Sequence, residues 1–214
     1  METKKRELFT GIYKTAADEF AAFGYAGARM DRIAETAGVN KATIYYHIGN
    51  KELLYNKTVE YLIECAAVSL EAFLPENLSS REAAPGEVLH GRPAGEIPGE
   101  DSRDKTGEQA DREFQRYIEI LGTTIFGDLK LPLIMMREIV AGKEYLQQET
   151  IGKFMALFAP VITMITRGQA KGRFRNKSPL LVHFMAVAGI YFFTAGNNFL
   201  LKQSRITESG LPER

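Results

Sequence analysis

A single cysteine, Cys65, excludes an intrachain disulfide and fits a reducing cytoplasm. Only three histidines occur, His47, His90 and His183, and no two stand four residues apart. The chain therefore holds no His-x-x-x-His metal pair, and it also lacks a Ser or Cys nucleophile motif and a phosphate-binding glycine loop. An enzyme reading has no catalytic residue, cofactor or metal site to build on, and none is expected. The 27 Lys and Arg balance 27 Asp and Glu, so the whole chain carries no basic footprint, and any charge meant for nucleic acid must be local. No apolar run follows the opening METKKRELF, so no secretory signal is expected. One charge-free stretch, Pro179 to Ala195, has the composition of a membrane span. It also has that of a helix buried on all sides in a bundle or dimer interface. The second reading is preferred because no other span occurs and Asn197 and Asn198 follow at once.

What is present has helical period almost throughout. In the first segment Leu8, Ile12, Ala16 and Phe20 recur every four residues, widened by Phe9, Tyr13 and Phe23, and Gly24 suits a left-handed cap. Short helices are expected near Met30–Ala37 and Asn40–His47, separated by Gly38. A long one follows from the Asn50 cap to about Phe73, with Leu53, Leu54, Val59, Leu62, Ile63, Ala66 and Leu70 on its apolar side. The pattern then stops. Residues 75–113 contain no Phe, Tyr or Trp, carry Pro75, Pro85, Pro93 and Pro98 among five glycines, and hold ten acidic residues against five basic ones. This composition predicts a mobile acidic loop. Helical pattern resumes at Phe114. Pro132 is placed to open the next helix and Gly142 to close it. A long helix over Tyr145–Lys171, kinked at Pro160, and the apolar helix capped by Ser178 complete an all-α chain.

The most informative stretch is Ile33-Ala-Glu-Thr-Ala-Gly-Val-Asn-Lys-Ala-Thr-Ile-Tyr-Tyr-His-Ile-Gly-Asn-Lys-Glu-Leu-Leu54. It reads as a short helix, a glycine turn and a second short helix sharing Ile33, Ala34, Val39 and Ile44 as a core. The second helix then presents Asn40, Lys41, Thr43, Tyr46 and His47 outward, side chains able to bond base edges and phosphates in a major groove. Residues 1–57 carry nine Lys and Arg against seven Asp and Glu, a small basic excess. A solvated, half-buried helical face is the plainer alternative for Tyr45, Tyr46 and His47.

From Lys5 to Leu54 the sequence resembles the tetracycline-repressor (TetR) family. The resemblance rests on Phe20-Ala-Ala-Phe-Gly-Tyr25, Ile33-Ala34, Ala37-Gly38-Val39, Thr43-Ile44-Tyr45 and Lys51-Glu-Leu-Leu54. It is looser at Met136-Arg-Glu138, Gly168-Gln169 and Gly172-Arg-Phe-Arg175. It implies that Asn40, Lys41 and Thr43 read bases or adjacent phosphates, that Tyr45 with Tyr46 or His47 meets the sugar-phosphate backbone, and that Lys51 meets a phosphate at a helix N-terminus. The chain departs from the family where Ala28-Arg29 replaces the usual capping hydroxyl, with Arg29 able to reach a phosphate, and where Ile48 replaces an aromatic.

The resemblance further implies a helix-turn-helix domain over 1–48 and a ligand-sensing, dimerising helical domain over 49–214. The implied function is that of a cytoplasmic repressor released from double-stranded operator DNA by a small molecule; activation is the other direction such coupling can take. Cys65, Tyr117, Leu121, Phe154, Phe158 and His183 are candidate contacts to an apolar or aromatic effector, with ordinary core packing as the alternative at each. Ala186, Gly189, Phe193 and Gly196 offer a small-residue face for a homodimer built as a four-helix bundle. The family usually places a further helix after this one, where the chain reads Gly210-Leu-Pro-Glu-Arg214. Either the interface differs or the natural chain is longer.

Overall fold

The computed structural model describes residues 2–71, 105–142 and 145–207, and all regular structure among them is helical. In order these are α1 (Glu2–Gly27), α2 (Met30–Thr36), α3 (Lys41–His47), α4 (Lys51–Glu71), α5 (Lys105–Gly127), α6 (Lys130–Ala141), α7 (Gln148–Ala156), α8 (Ala159–Ala170) and α9 (Pro179–Thr207). They form two compact units, Met1–Ala72 with Asp128–Phe158, and Phe73–Gly127 with Ala159–Arg214. Packing thus groups α4, α6 and α7 with α1–α3, so the compact units do not part at the expected boundary after residue 48.

In the first unit the expected stripe of α1 buries Ile12, Ala16 and Phe20, while Leu8 and Phe23 at its margins stay exposed. Ile33 and Ala34 of α2, Ile44 of α3, Leu54 and Val59 of α4 and Ile134 of α6 complete the same core. Burial of each large aliphatic side chain contributes about 1.5–3 kcal/mol. Polar ties then fix the helices. Tyr55 Oη of α4 donates to Glu138 Oε1 of α6 at 2.8 Å, both residues being buried. Arg137 Nη1 and Nη2 reach the Phe20 and Ala22 carbonyls of α1, each at 3.2 Å. Asn56 of α4 donates to the Tyr145 carbonyl at 3.0 Å and accepts from Gln147 N at 2.8 Å and Thr150 Oγ1 at 3.0 Å. A single side chain thereby satisfies free backbone groups where α7 begins.

In the second unit α5 buries Tyr117, Ile120, Leu121 and Ile125, α8 buries Val161, Met164 and Ile165, and α9 buries His183 and Thr194. Helix α5 starts at Lys105, which corrects the expected loop end at residue 113. The physical reason lies in the acidic residues themselves. Arg167 pairs with Glu113 at 2.7 Å and Arg173 Nε bonds Asp111 at 2.8 Å, so charges that read as loop are partnered on a helix. The remainder of that loop expectation, residues 75–104, lies outside the described residues.

Two other expectations change. Helix α6 begins two residues before Pro132, where Asp128 Oδ1 accepts from Lys130 N at 2.8 Å, and the proline sits in the first turn, whose N–H groups have no intrahelical partner. The expected kinked helix over Tyr145–Lys171 is two helices, with Leu157 and Phe158 between α7 and α8 and Pro160 second in α8. In α9, Leu181, Met185, Phe192 and Phe193 are exposed, so within one chain this helix is only partly covered. Among the described residues no single helix is long and apolar enough to cross a membrane.

Candidate nucleic-acid interface

The geometry around α2 and α3 follows from local sequence. Helix α1 is interrupted at Gly24 (φ 68, ψ 177), a conformation almost restricted to glycine, and one further turn ends at Gly27. Arg29 then caps α2 in extended conformation with no side-chain hydrogen bond, as expected from the missing hydroxyl. A residue of α1 makes up for it. Glu19 Oε1 accepts the Arg29 backbone N–H at 2.8 Å and Arg32 Nε at 2.9 Å. Arg32 in turn lies over the Phe23 ring, 4.2 Å from its centroid.

Past the Gly38 turn, Asn40 caps α3, its Oδ1 accepting from Ala42 N at 2.9 Å. Its amide N–H groups remain as donors for another partner. Ile44 is the one fully buried residue of α3 and anchors the helix. Gly49 sits at φ 107, a backbone conformation that L side chains rarely adopt, so the turn into α4 favours glycine. Asn50 Oδ1 then accepts from Leu53 N at 2.8 Å, the expected cap.

This arrangement exposes one face of α3. Asn40 is exposed, Lys41 and Thr43 are half-buried, and Tyr45, Tyr46 and His47 are exposed, Tyr46 to 85%. The His47 ring stands edge-on to Phe9 of α1 at 5.8 Å and to Tyr46 at 4.8 Å. Lys41 Nζ pairs with Asp31 Oδ1 of α2 at 2.8 Å and lies 5.9 Å from the Tyr45 ring. That hydrogen bond holds the Asp31 carboxyl below its usual range and Lys41 above its own. Arg29 is exposed beside them. Lys51 behaves differently from the others: its Nζ lies 4.9 Å from the Tyr25 ring centre and 3.4 Å from the Ala26 carbonyl, and burial lowers its pKa. Ile48 is half-buried against the core.

Glu19 and Asp31 are the residues that sequence reasoning missed. Glu19 lies on the buried stripe of α1, three residues after Ala16 and one before Phe20, and a carboxylate there was the available signal. Asp31 carries no comparable mark.

The candidate effector residues fall in both units, each described by itself. In the second unit Leu121 is buried and Tyr117 Oη lies 2.5 Å from His183 Nδ1, with both rings buried. Burial pushes the His183 pKa down to about 4 and the Tyr117 hydroxyl up. In the first unit the Phe154 and Phe158 rings meet edge to face at 5.0 Å, and Cys65 is exposed on α4. Of the dimer candidates, Gly189 and Phe193 are exposed, and Ala186 and Gly196 are half-buried.

Residues 12–58 match the family model of bacterial regulatory proteins, tetR family. Residues 12–58 are thus a tetR-family N-terminal domain. The chain's TetR segment is 37% identical over 62 residues to the HTH-type transcriptional regulator RutR of Escherichia coli (strain K12), a match covering 29% of each chain. It is 44% identical over 59 residues to the HTH-type transcriptional repressor SCO4008 of Streptomyces coelicolor, covering 28% of this chain and 31% of that one. The matched segment therefore spans under a third of the length of these relatives. The helical fold extends further: a linker-substituted mutant of HlyIIR superposes with a TM-score of 0.59 at 19% identity, covering 92% of this chain and 88% of the other.

Proposed function

We propose that this chain is a TetR-type transcriptional regulator, a cytoplasmic repressor that binds double-stranded operator DNA as a homodimer and leaves it when a small apolar or aromatic molecule binds. The observation that carries the reading is the exposed face of α3. Asn40, Lys41, Thr43, Tyr45, Tyr46 and His47 surround a single buried anchor, Ile44. That is the geometry a recognition helix needs to enter a major groove, with hydrogen-bonding side chains toward base edges and aromatic hydroxyls toward phosphates. Arg29, at the start of α2, adds a cation beside it. Lys51 joins them only if its ammonium leaves the Tyr25 ring for a phosphate. In this reading the chain acts by binding, not by catalysis.

Functionally, residues 1–48 bind DNA and 49–214 sense and dimerise. The exposed apolar face of α9 supports a homodimer, since Leu181, Met185 and Phe192 recur at helical spacing with Phe193 one position on, Phe192 being 80% exposed. Gly189 and Gly196 fall within that face and Ala186 at its edge. The buried Tyr117–His183 pair, set among apolar residues with Leu121, supports an effector with an apolar body and one polar group. Phe154, Phe158 and Cys65 are the further candidates.

Capture of genomic fragments by the purified chain, followed by sequencing, tests the reading. The expected result is enrichment of a two-fold-symmetric sequence whose half-sites lie about 34–36 Å apart, one helical turn. Recovery of fragments with no shared sequence would overturn it.

A further inference from the structure

The Asp31–Lys41 contact joins the two helices of the helix-turn-helix across its turn, from the first turn of α2 to the first residue of α3. Its position gives the fold little. Both side chains are substantially exposed, and exposed pairs of this kind add little to stability. Its effect on the interface is larger. Lys41 is the one Lys or Arg of α3, and at 2.8 Å the carboxylate offsets its charge and takes one of its donors. A phosphate approaching from beyond this pair meets a neutral dipole together with the rim of an acid. Arg29 is the other charged group acting on both partners, and the Tyr45 ring lies on the far side of the ammonium.

We propose that Asp31 is a specificity-determining residue: it holds Lys41 in an ion pair across the turn, so that Lys41 engages DNA only where a well-placed base edge or phosphate displaces the carboxylate. Because the pair is exposed, that exchange is easy where the geometry is right. On a non-cognate duplex nothing displaces Asp31, Lys41 releases no counterion, and the non-specific affinity stays low. A recognition helix gains selectivity more from weak binding to wrong sequences than from strong binding to the right one. The inference rests on the DNA-binding reading above.

The test is a double-mutant cycle on the full chain with Asp31→Asn, Lys41→Ala and both together. Each protein is titrated against the captured operator and against a random-sequence duplex of equal length, over a range of salt. D31N should tighten binding to the random duplex by about 1.5- to 5-fold at low salt. It should also steepen the salt dependence by roughly one phosphate contact. The operator should gain less, so the specificity ratio falls, and in the K41A background D31N should change little. Unchanged or weaker binding by D31N would overturn the inference. So would an equal gain with and without Lys41, which would make Asp31 a simple repelling charge. If D31N unfolds, Asp31→Ser serves in its place, since serine is also accepted at a helix start. A wild-type chain that binds neither duplex would instead defeat the DNA-binding reading itself.

Discussion

Glu19 holds the start of α2 from a neighbouring helix, its Oε1 accepting the Arg29 backbone N–H at 2.8 Å. The usual N-terminal cap is a side chain of the helix's own first residues. Here it comes from α1, and it also takes Arg32, so one nearly buried carboxylate sets the angle between the two helices. Glu19→Ala should cost about 1–3 kcal/mol in urea unfolding, because a backbone donor and a guanidinium lose their acceptor. Glu19→Gln keeps an acceptor and should lose less. Equal stability of wild type and Glu19→Ala would show that the contact is incidental.

Asn56 closes a second joint, binding Tyr145, Gln147 and Thr150 at once. Asn56→Leu fits the space poorly and leaves the Gln147 N–H and the Tyr145 carbonyl without this partner, while the Thr150 hydroxyl keeps Glu60 Oε1 at 3.5 Å. A loss of about 2–4 kcal/mol is expected, two unmet groups at one to two each. Amide hydrogen exchange should rise first over 145–150. Uniform acceleration across α1–α4 would contradict the assignment of Asn56 to that joint.

These two joints mark where the sequence stopped being legible. Caps written within a few residues could be read: Asn50 stands one position before its helix and bonds as expected, whereas Asn40, which caps α3, was read only as a contact to DNA. The α3 face was equally readable, because a seven-residue helix with one buried Ile44 exposes nearly everything else. Glu19, Asn56, Arg137 and Glu138 find partners far along the chain, and no local period encodes such a pairing. The start of α5 was hidden for a related reason. Asp111 and Glu113 look like loop residues until Arg173 and Arg167 are placed beside them. The two readings of α9, bundle or dimer interface, could not be separated in the sequence, because an unbroken apolar run reports that a helix is covered, not whether its own chain covers it.

The Tyr117–His183 pair makes stability depend on pH. Burial puts the folded pKa of His183 near 4, below the 6.5 of a free imidazole. Above pH 6.5 both states hold the ring neutral and nothing changes. As pH falls from 6.5 toward 4 the unfolded chain takes up a proton that the folded chain refuses, so stability is lost across that window. The loss approaches roughly 3 kcal/mol at the acid end. Tyr117→Phe/His183→Leu removes the titration together with the Tyr117–His183 hydrogen bond. Its unfolding free energy should decline less than that of the wild type between pH 6.5 and 4. Parallel declines would mean that His183 is protonated in the folded state.

The α9 face predicts association. Phe192→Glu places a charge on the exposed apolar stripe, at a side chain that is 80% exposed. Sedimentation should find the wild type as a dimer and the variant as a monomer, and operator affinity should fall with dimer loss. A variant that remains dimeric would move the interface elsewhere.

The central claim, that α3 reads DNA sequence, is tested most directly by competition. Full-length protein on a labelled captured operator is challenged with unlabelled operator and with a scrambled duplex of the same length, at fixed salt. The account predicts a preference for the operator of at least about a thousandfold. It also predicts that Thr43→Ala relaxes the preference at one base position by about 1–3 kcal/mol. Equal competition by the two duplexes, or a preference unaltered when Asn40, Lys41 and Thr43 are all replaced by alanine in a folded protein, would contradict it.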